Sequence, residues 1–262
     1  MTLAQALLLG LLQGATEFLP VSSSGHLAIA QHLLPGFSQP GILFDVLLHL
    51  GTMVAVILYF RRDLAALAAA PFRGEQARTE RRVLMLLILG SVPTAVIGLS
   101  FKDFFEGLFG NIPLVGLMLL VTGSLLFVAE RFRKAGRREE DLTLGDALVV
   151  GAVQGLAIIP GISRSGSTIA ALLMKGVDGE TAARFSFLLA LPAVFGAALL
   201  SLRDLQGVPA GELPLYLAAT GIAFVTGLLS IHLLLGIIRR RRLAAFAIYC
   251  WLVGALAFSL TI

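Results

Sequence analysis

Glu17, His26 and Arg164 are ionisable side chains placed inside two long apolar segments that are each broken midway. If those segments lie in a membrane, a charge near the centre of a helix costs about 2.5–3.5 kcal/mol on insertion scales. An unpaired Glu17 or Arg164 would be a standing penalty, so each must meet the other or a charged ligand. The plainer alternative is an ion pair that only locks two segments together. Hydroxyls surround the charges in Ser22-Ser23-Ser24-Gly25-His26 and in Ser163-Arg164-Ser165-Gly166-Ser167-Thr168. A serine-rich helix start offers free N–H groups, hydroxyl donors and the positive end of a dipole, and glycine lets backbone approach closely. Ordinary N-capping explains either run alone. Two such ends aimed at one point, with an arginine added, favour phosphate, because a guanidinium presents a planar fork of donors to its oxygens. His26 beside a carboxylate supplies a group able to accept or donate a proton.

Other candidates carry less. His32 and His232 read as packing or interfacial side chains, and Cys250, the only cysteine, reads as a core thiol with no disulfide framework or thiolate metal site around it. Asp45 and His49 stand one turn apart on one helix face, where they could support the site. Gly10-x-x-x-Gly14 and Gly151-x-x-x-Gly155 are GxxxG patterns, better explained by close helix packing than by chemistry.

Composition says what must position these residues. Of 262 residues, 57% are hydrophobic and 14% charged, and the mean hydropathy is +0.91; a soluble domain carries roughly 25% charge. The bilayer is the natural solvent for such a chain. Its net charge of +4 and pI near 9.7 do not imply nucleic acid, because the basic residues sit in short clusters beside apolar runs. The first of them is Arg61, so the N-terminal apolar stretch lacks the basic flank of a signal peptide and belongs with the fold.

Six stretches can cross the bilayer as helices: Ile42–Phe60, Val83–Ser100, Ile112–Glu130, Arg184–Ser201, Leu213–Ile238 and Leu243–Ile262. Leu3–Leu34 and Leu144–Met174 do not fit that template, because Pro, Gly and Ser interrupt each of them. A limb such as Leu3–Gly14 rises about 18 Å at 1.5 Å per residue, which reaches mid-bilayer, so each is expected to be a re-entrant helical hairpin.

The two broken segments are related. Gln13 recurs as Gln154, 141 positions on, and the same offset pairs Gly10 with Gly151, Ser22 with Ser163, Ser24 with Ser165 and Gly25 with Gly166. It runs on through Phe44 and Phe185 to Arg62-Asp63-Leu64 and Arg203-Asp204-Leu205. The expected fold is therefore an all-α polytopic membrane protein, a single membrane domain over 1–262. Its two repeats, about 1–135 and about 142–262, each hold one re-entrant hairpin plus three transmembrane helices. Three crossings reverse the second copy, giving an inverted-topology repeat, which brings broken helices together near the midplane. The copies have diverged at the charges: Ile158 stands at the Glu17 position, and Ser23 at the Arg164 position.

Basic residues give the orientation. With both hairpins re-entrant, Arg61, Arg62, Arg73, Arg78, Arg131, Arg137, Arg184 and Arg239 to Arg242, among others, fall on one side. Lys102 and Arg203 alone fall on the opposite side. Lys and Arg accumulate in the cytoplasm, so both termini are expected outside.

The segment Gln13-Gly14-Ala15-Thr16-Glu17-Phe18-Leu19-Pro20-Val21-Ser22-Ser23-Ser24-Gly25-His26 resembles the first motif, (E/Q)xxxE and a serine-rich loop, of the undecaprenyl-diphosphatases linked to bacitracin resistance. Pro160-Gly161-Ile162-Ser163-Arg164-Ser165-Gly166-Ser167-Thr168 resembles their second, PGxSRSxxT. With length and span order, the resemblance covers essentially the whole chain. It implies hydrolysis of undecaprenyl pyrophosphate at the outer face of the bacterial plasma membrane, which regenerates the monophosphate carrier for cell-wall synthesis. It also implies a divalent cation, Mg²⁺ or Ca²⁺. Gln13 takes the permitted Gln form, which leaves Glu17 as the motif's carboxylate. On that basis Arg164 would clamp pyrophosphate, while Gln13, Ser22, Ser23, Ser24, Ser163, Ser165 and Thr168 would bind or position oxygens. Glu17 would orient His26 or help hold the metal. The attacking group is water, His26 or a serine such as Ser23. The expected partners are the bilayer and a polyprenyl pyrophosphate lipid, and a homodimer is compatible with both. A secondary transporter or lipid flippase is the rival reading, since broken inverted repeats are a transporter architecture; an intramembrane serine protease has no need of Arg164.

Single cysteines at positions 73, 137 and 240 are predicted to be shielded from an impermeant thiol reagent in intact cells and to react after permeabilisation. Labelling of intact cells at these positions would reverse the orientation.

Overall fold

A computed structural model of the chain describes residues 1–37, 43–132, 136–201, 211–240 and 242–259. The described residues form helices and no strand; one isolated bridge joins Arg137 to Val177. In chain order the helices are α1 (Leu3–Glu17), α2 (Ser23–Leu33), α3 (Leu43–Tyr59), α4 (Arg61–Ala69), α5 (Arg78–Ser100), α6 (Lys102–Glu106), α7 (Ile112–Arg131), α8 (Leu144–Leu156), α9 (Arg164–Met174), α10 (Gly179–Ser201), α11 (Leu213–Arg239) and α12 (Ala244–Ser259).

Four helical stretches are long and apolar enough to span a bilayer: Gly74–Ser100, Ile112–Arg131, Gly179–Leu200 and Leu213–Arg239. Two of the six expected spans come out differently. Leu43–Tyr59 stops after 17 residues and meets Arg61–Phe72 at a bend of 74°. The physical reason is composition, for Arg61 and Arg62 are exposed and must leave an apolar medium. Ala244–Ser259 is a shorter apolar helix of 16 residues, and the expected end of that span, 260–262, lies outside the described residues. Elsewhere the helices outrun the apolar runs. One begins at Arg78 rather than Val83 and another at Gly179 rather than Arg184, since polar first turns tolerate helix well where they reach solvent. Arg203-Asp204-Leu205, the far end of the repeat match, also lies outside the described residues.

The outer faces of the apolar helices expose Ile88, Leu99, Leu229 and Leu252. Apolar exposure on this scale belongs against lipid rather than water. Without a hydrophobic drive between helices in lipid, close packing must hold them together, and small residues permit it. A Cβ on Gly10 would stand 2.3 Å from the Ala219 carbonyl oxygen of α11, and one on Gly151 would stand 1.9 Å from that of Gly90 in α5. The GxxxG patterns therefore mark where α1 seats on α11 and α8 on α5. Neither short helix packs chiefly on its sequence neighbours.

Basic clusters find acidic partners across elements. Arg184 of α10 pairs with Asp63 at 2.5 Å and Glu139 at 3.0 Å, Arg137 with Asp146 at 2.5 Å, and Arg239 with Glu180 at 2.7 Å. The N-terminal ammonium meets Glu212 at the start of α11, 3.3 Å away.

Candidate active site

Both broken segments turn back where the sequence breaks them. Pro20 has no amide hydrogen and disfavours helical backbone at Leu19, so α1 ends at Glu17. The chain restarts as α2 with Ser22 as N-cap, its hydroxyl accepting from Gly25 N–H at 3.2 Å. In the second hairpin Ser163 caps α9 in the same way, accepting from Gly166 N–H at 3.0 Å. Ser22 and Ser163 are thus N-caps, the plainer of the two roles open to them. Ser22 alone among the described non-glycine residues has a positive φ, 69°. Such a conformation costs of order 1–3 kcal/mol and persists where surrounding structure imposes it.

Each tip satisfies its backbone through another element. Ser165 Oγ donates to the Leu19 carbonyl at 3.3 Å, which ties one tip to the other. Thr122 of α7 accepts the Ser163 N–H at 3.0 Å and donates to the Gly161 carbonyl at 2.9 Å. Gly161 has φ +95°, and a Cβ there would stand 2.4 Å from the Val115 carbonyl oxygen, so glycine is required on two counts. A Cβ on Gly25 would lie 3.1 Å from Gly161 Cα, which measures how closely the tips cross. Phe18 anchors the first tip, fully buried and edge-on to Phe187 of α10 with centroids 5.2 Å apart.

The crossing gathers polar groups around one carboxylate. Arg164 Nη2 donates to Glu17 Oε1. Ser23 Oγ donates to Oε2 at 2.5 Å and Gln13 Nε2 donates to the same oxygen at 2.9 Å. Ser23 and Arg164, equivalent by the 141-residue offset, therefore converge on opposite oxygens of a buried Glu17. Two buried atoms at this point have no hydrogen-bond partner among the described residues, Arg164 Nη1, a donor, and Gln13 Oε1, an acceptor.

The histidine assignment needs correcting. Glu17 does not orient His26; the imidazole beside Glu17 is His49 of α3, with Nε2 3.5 Å from Oε2 and Nδ1 2.7 Å from the Asp45 carbonyl oxygen. His26 lies one turn beyond Ser23 on α2, and its nitrogens meet the Ser22 carbonyl oxygen and the Tyr249 hydroxyl, both at 2.8 Å. His26 thus points from α2 toward α12, whereas Glu17 faces α9 and α3. The spacing of Asp45 and His49 signalled the second histidine, but the Asp45 carboxylate accepts from Gln31 instead, at 2.7 Å. Nothing in the sequence signalled Tyr249.

The remaining hydroxyls divide. Ser24 lies 3.3 Å from Ser22 and Ser165 lies 3.4 Å from Ser163, so both stay at the crossing. Thr168 does not join them. Its fully buried hydroxyl is taken up by the Arg164 carbonyl at 2.8 Å and by Ser186 at 2.5 Å, so it braces α9 against α10.

For a divalent cation the crossing offers chiefly oxygen, with the His49 imidazole beside it. No cluster of three His, Cys, Asp or Glu gathers among the described residues. Glu17 with the unpartnered Gln13 Oε1 fits a hard cation that takes most of its ligands from phosphate and water, and does not make an all-protein cage.

Helices suited to lipid, with two broken segments meeting at an internal ion pair, define a multi-pass membrane protein with a buried polar site. The family model "Bacitracin resistance protein BacA" matches residues 6–256. An undecaprenyl-diphosphatase of Syntrophotalea carbinolica is 64% identical over 262 residues, covering 100% of both chains. Those of Desulforapulum autotrophicum and Methanosphaera stadtmanae are 44% and 40% identical, over 98% of this chain and 98% and 97% of theirs. The chain belongs to the BacA family, and with it is a membrane hydrolase.

The ion pair should show itself in stability. Removing one partner of a buried pair typically costs about 3–5 kcal/mol, because the other charge is left uncompensated. Glu17→Gln and Arg164→Gln are each expected to lower the thermal midpoint in detergent, and the double variant by clearly less than the sum. Additive losses would mean the two side chains do not interact.

Proposed function

We propose that the chain hydrolyses undecaprenyl pyrophosphate to undecaprenyl phosphate and inorganic phosphate, recycling the lipid carrier for cell-wall synthesis and so conferring bacitracin resistance. One observation carries the reading. A serine hydroxyl and a guanidinium, both in the first turns of facing helices, share a buried carboxylate, and the guanidinium keeps one donor unused.

That arrangement has the parts of nucleophilic phosphoryl transfer, a nucleophile in hydrogen-bond contact with its base and donors facing the charge to be transferred. Arg164 Nη1 takes an oxygen of the terminal phosphate. Ser23 Oγ gives its proton to Glu17 and attacks the terminal phosphorus; the bond to the bridging oxygen breaks and undecaprenyl phosphate leaves. Water then attacks the phosphoserine and loses its proton to His26, while Ser23 Oγ recovers a proton from Glu17 and inorganic phosphate departs. The free N–H groups at the starts of α2 and α9 lower the energy of charge on the transferring group. A bound divalent cation, held through Glu17 and Gln13, would add charge neutralisation of the phosphate oxygens.

We propose further that the fold is one domain of two repeats in inverted topology, with both termini outside and the site opening to the outer face. Supporting this, α2 and α9 have the same limits after the 141-residue shift, Ser23–Leu33 and Arg164–Met174. Thr2 with Gln5 and Thr143 with Asp146, again the same positions, form capping boxes. The seats are exchanged as well, α1 on α11 and α8 on α5. A lipid flippase would need the anion site but no contact between nucleophile and base, so the Ser23–Glu17 hydrogen bond favours hydrolysis.

Purified protein in detergent should release phosphate from undecaprenyl pyrophosphate; tight lipid binding with no release under any divalent-cation condition would favour the flippase. Arg164→Lys tests the clamp. A point charge would satisfy Glu17 as a counter-ion, but one ammonium cannot hold carboxylate and phosphate in a fixed plane. The lysine variant is expected to lose about 10²–10³ in rate, nearly as much as Arg164→Ala. Wild-type turnover by folded Arg164→Lys would remove Arg164 as the clamp.

A further inference from the structure

We infer that Tyr249 of α12 is a positioning residue for His26, holding the imidazole in the direction in which it acts as a base; this rests on the hydrolase reading above. The Tyr249 hydroxyl lies 2.8 Å from His26 Nε2, and the two rings stack 4° from parallel with centroids 5.6 Å apart. On the other side Nδ1 lies 2.8 Å from the Ser22 carbonyl oxygen. A carbonyl can only accept, so Nδ1 carries the hydrogen, and in the neutral imidazole Nε2 presents a lone pair to the tyrosine O–H. Both nitrogens and one ring face are therefore fixed.

Among the described residues no carboxylate meets either nitrogen of His26. Glu17, the nearest acidic group of hairpin one, is taken up by Arg164, Ser23, Gln13 and His49. The orienting partner that catalytic histidines commonly find in a carboxylate is here shared between a backbone carbonyl and a phenol. The carbonyl is that of Ser22, the one strained residue of the tip, so the positive φ and the tyrosine serve the same ring.

The hydroxyl occupies the place at Nε2 from which an attacking water must give up its proton. Tyr249 thus defines the direction in which His26 points before substrate arrives. Tyr249 is 42% exposed, so the hydroxyl can yield that place without disturbing the core. Once Nε2 is protonated, the same hydroxyl can accept from it, since a phenol both donates and accepts. The tyrosine never takes a proton from substrate and forms no bond to phosphorus.

Tyr249→Phe keeps the ring and the stack and removes only the hydroxyl. With undecaprenyl pyrophosphate in detergent, kcat is expected to fall about tenfold, the effect of one ordinary hydrogen bond, with KM within about twofold of wild type. Tyr249→Leu, which also loses the stack, should fall further. A second readout needs no turnover. In protein carrying ¹⁵N-histidine, the Nε2 resonance that His26→Gln removes should shift in Tyr249→Phe, while Nδ1 keeps the signature of the protonated nitrogen. Failure of the wild type to release phosphate would overturn the hydrolase reading and the role in catalysis inferred here, while the resonance still tests the contact. Unchanged kcat, an unmoved Nε2 resonance, or a loss confined to KM would each overturn the assignment of Tyr249.

Discussion

A carboxylate held away from water inside an apolar fold must be compensated where it stands, and Glu17 finds its compensation 147 residues away, on Arg164. Everything near the crossing follows from keeping those two groups together. Neither hairpin reaches the other unless its tip is small, which is why Gly25 passes Gly161 at contact distance. Neither tip can leave its peptide groups bare, so Ser165 covers the Leu19 carbonyl and Thr122 serves both sides of the second tip. The helices behind the tips are held by glycine contacts too close for any side chain.

Residues paired by the 141-residue offset do different work. Gln13 and Gln154 occupy matching positions, yet Gln13 donates to Glu17 while Gln154 donates to Thr94 and to the Leu189 carbonyl. One amide tunes a charge and the other fastens three helices. Ser22 and Ser163 both cap, but Ser22 does so at positive φ while Ser163 rests at −73°. The strained cap lies beside Ser23 and His26, and the relaxed one beside Arg164. The groups able to exchange a proton, Glu17, Ser23 and His26, stand on the first hairpin, and the fixed positive charge of Arg164 stands on the second. A site divided in this way is complete only when both hairpins are docked, which couples its formation to the fold as a whole.

Chain composition alone determined the solvent, since an apolar sequence of this length has no other phase in which to bury its surface. Local spacing determined the breaks. Proline, glycine and serine act on backbone within a few residues, so the starts of α2 and α9 could be read directly from Ser22-Ser23 and Ser163-Arg164. The meeting of Glu17 with Arg164 was also legible, because the insertion penalty leaves two opposite charges little alternative to each other or a ligand. Tertiary structure decided what depends on direction. Which histidine faces Glu17, whether Thr168 turns to the crossing or to Ser186, and that Tyr249 reaches His26 from 223 residues away are set by how helices rotate about their axes when they pack. Sequence separation contains no term for that rotation; the bend at Phe60 and the seat of each short helix on a distant partner arise only when every apolar face has been placed at once.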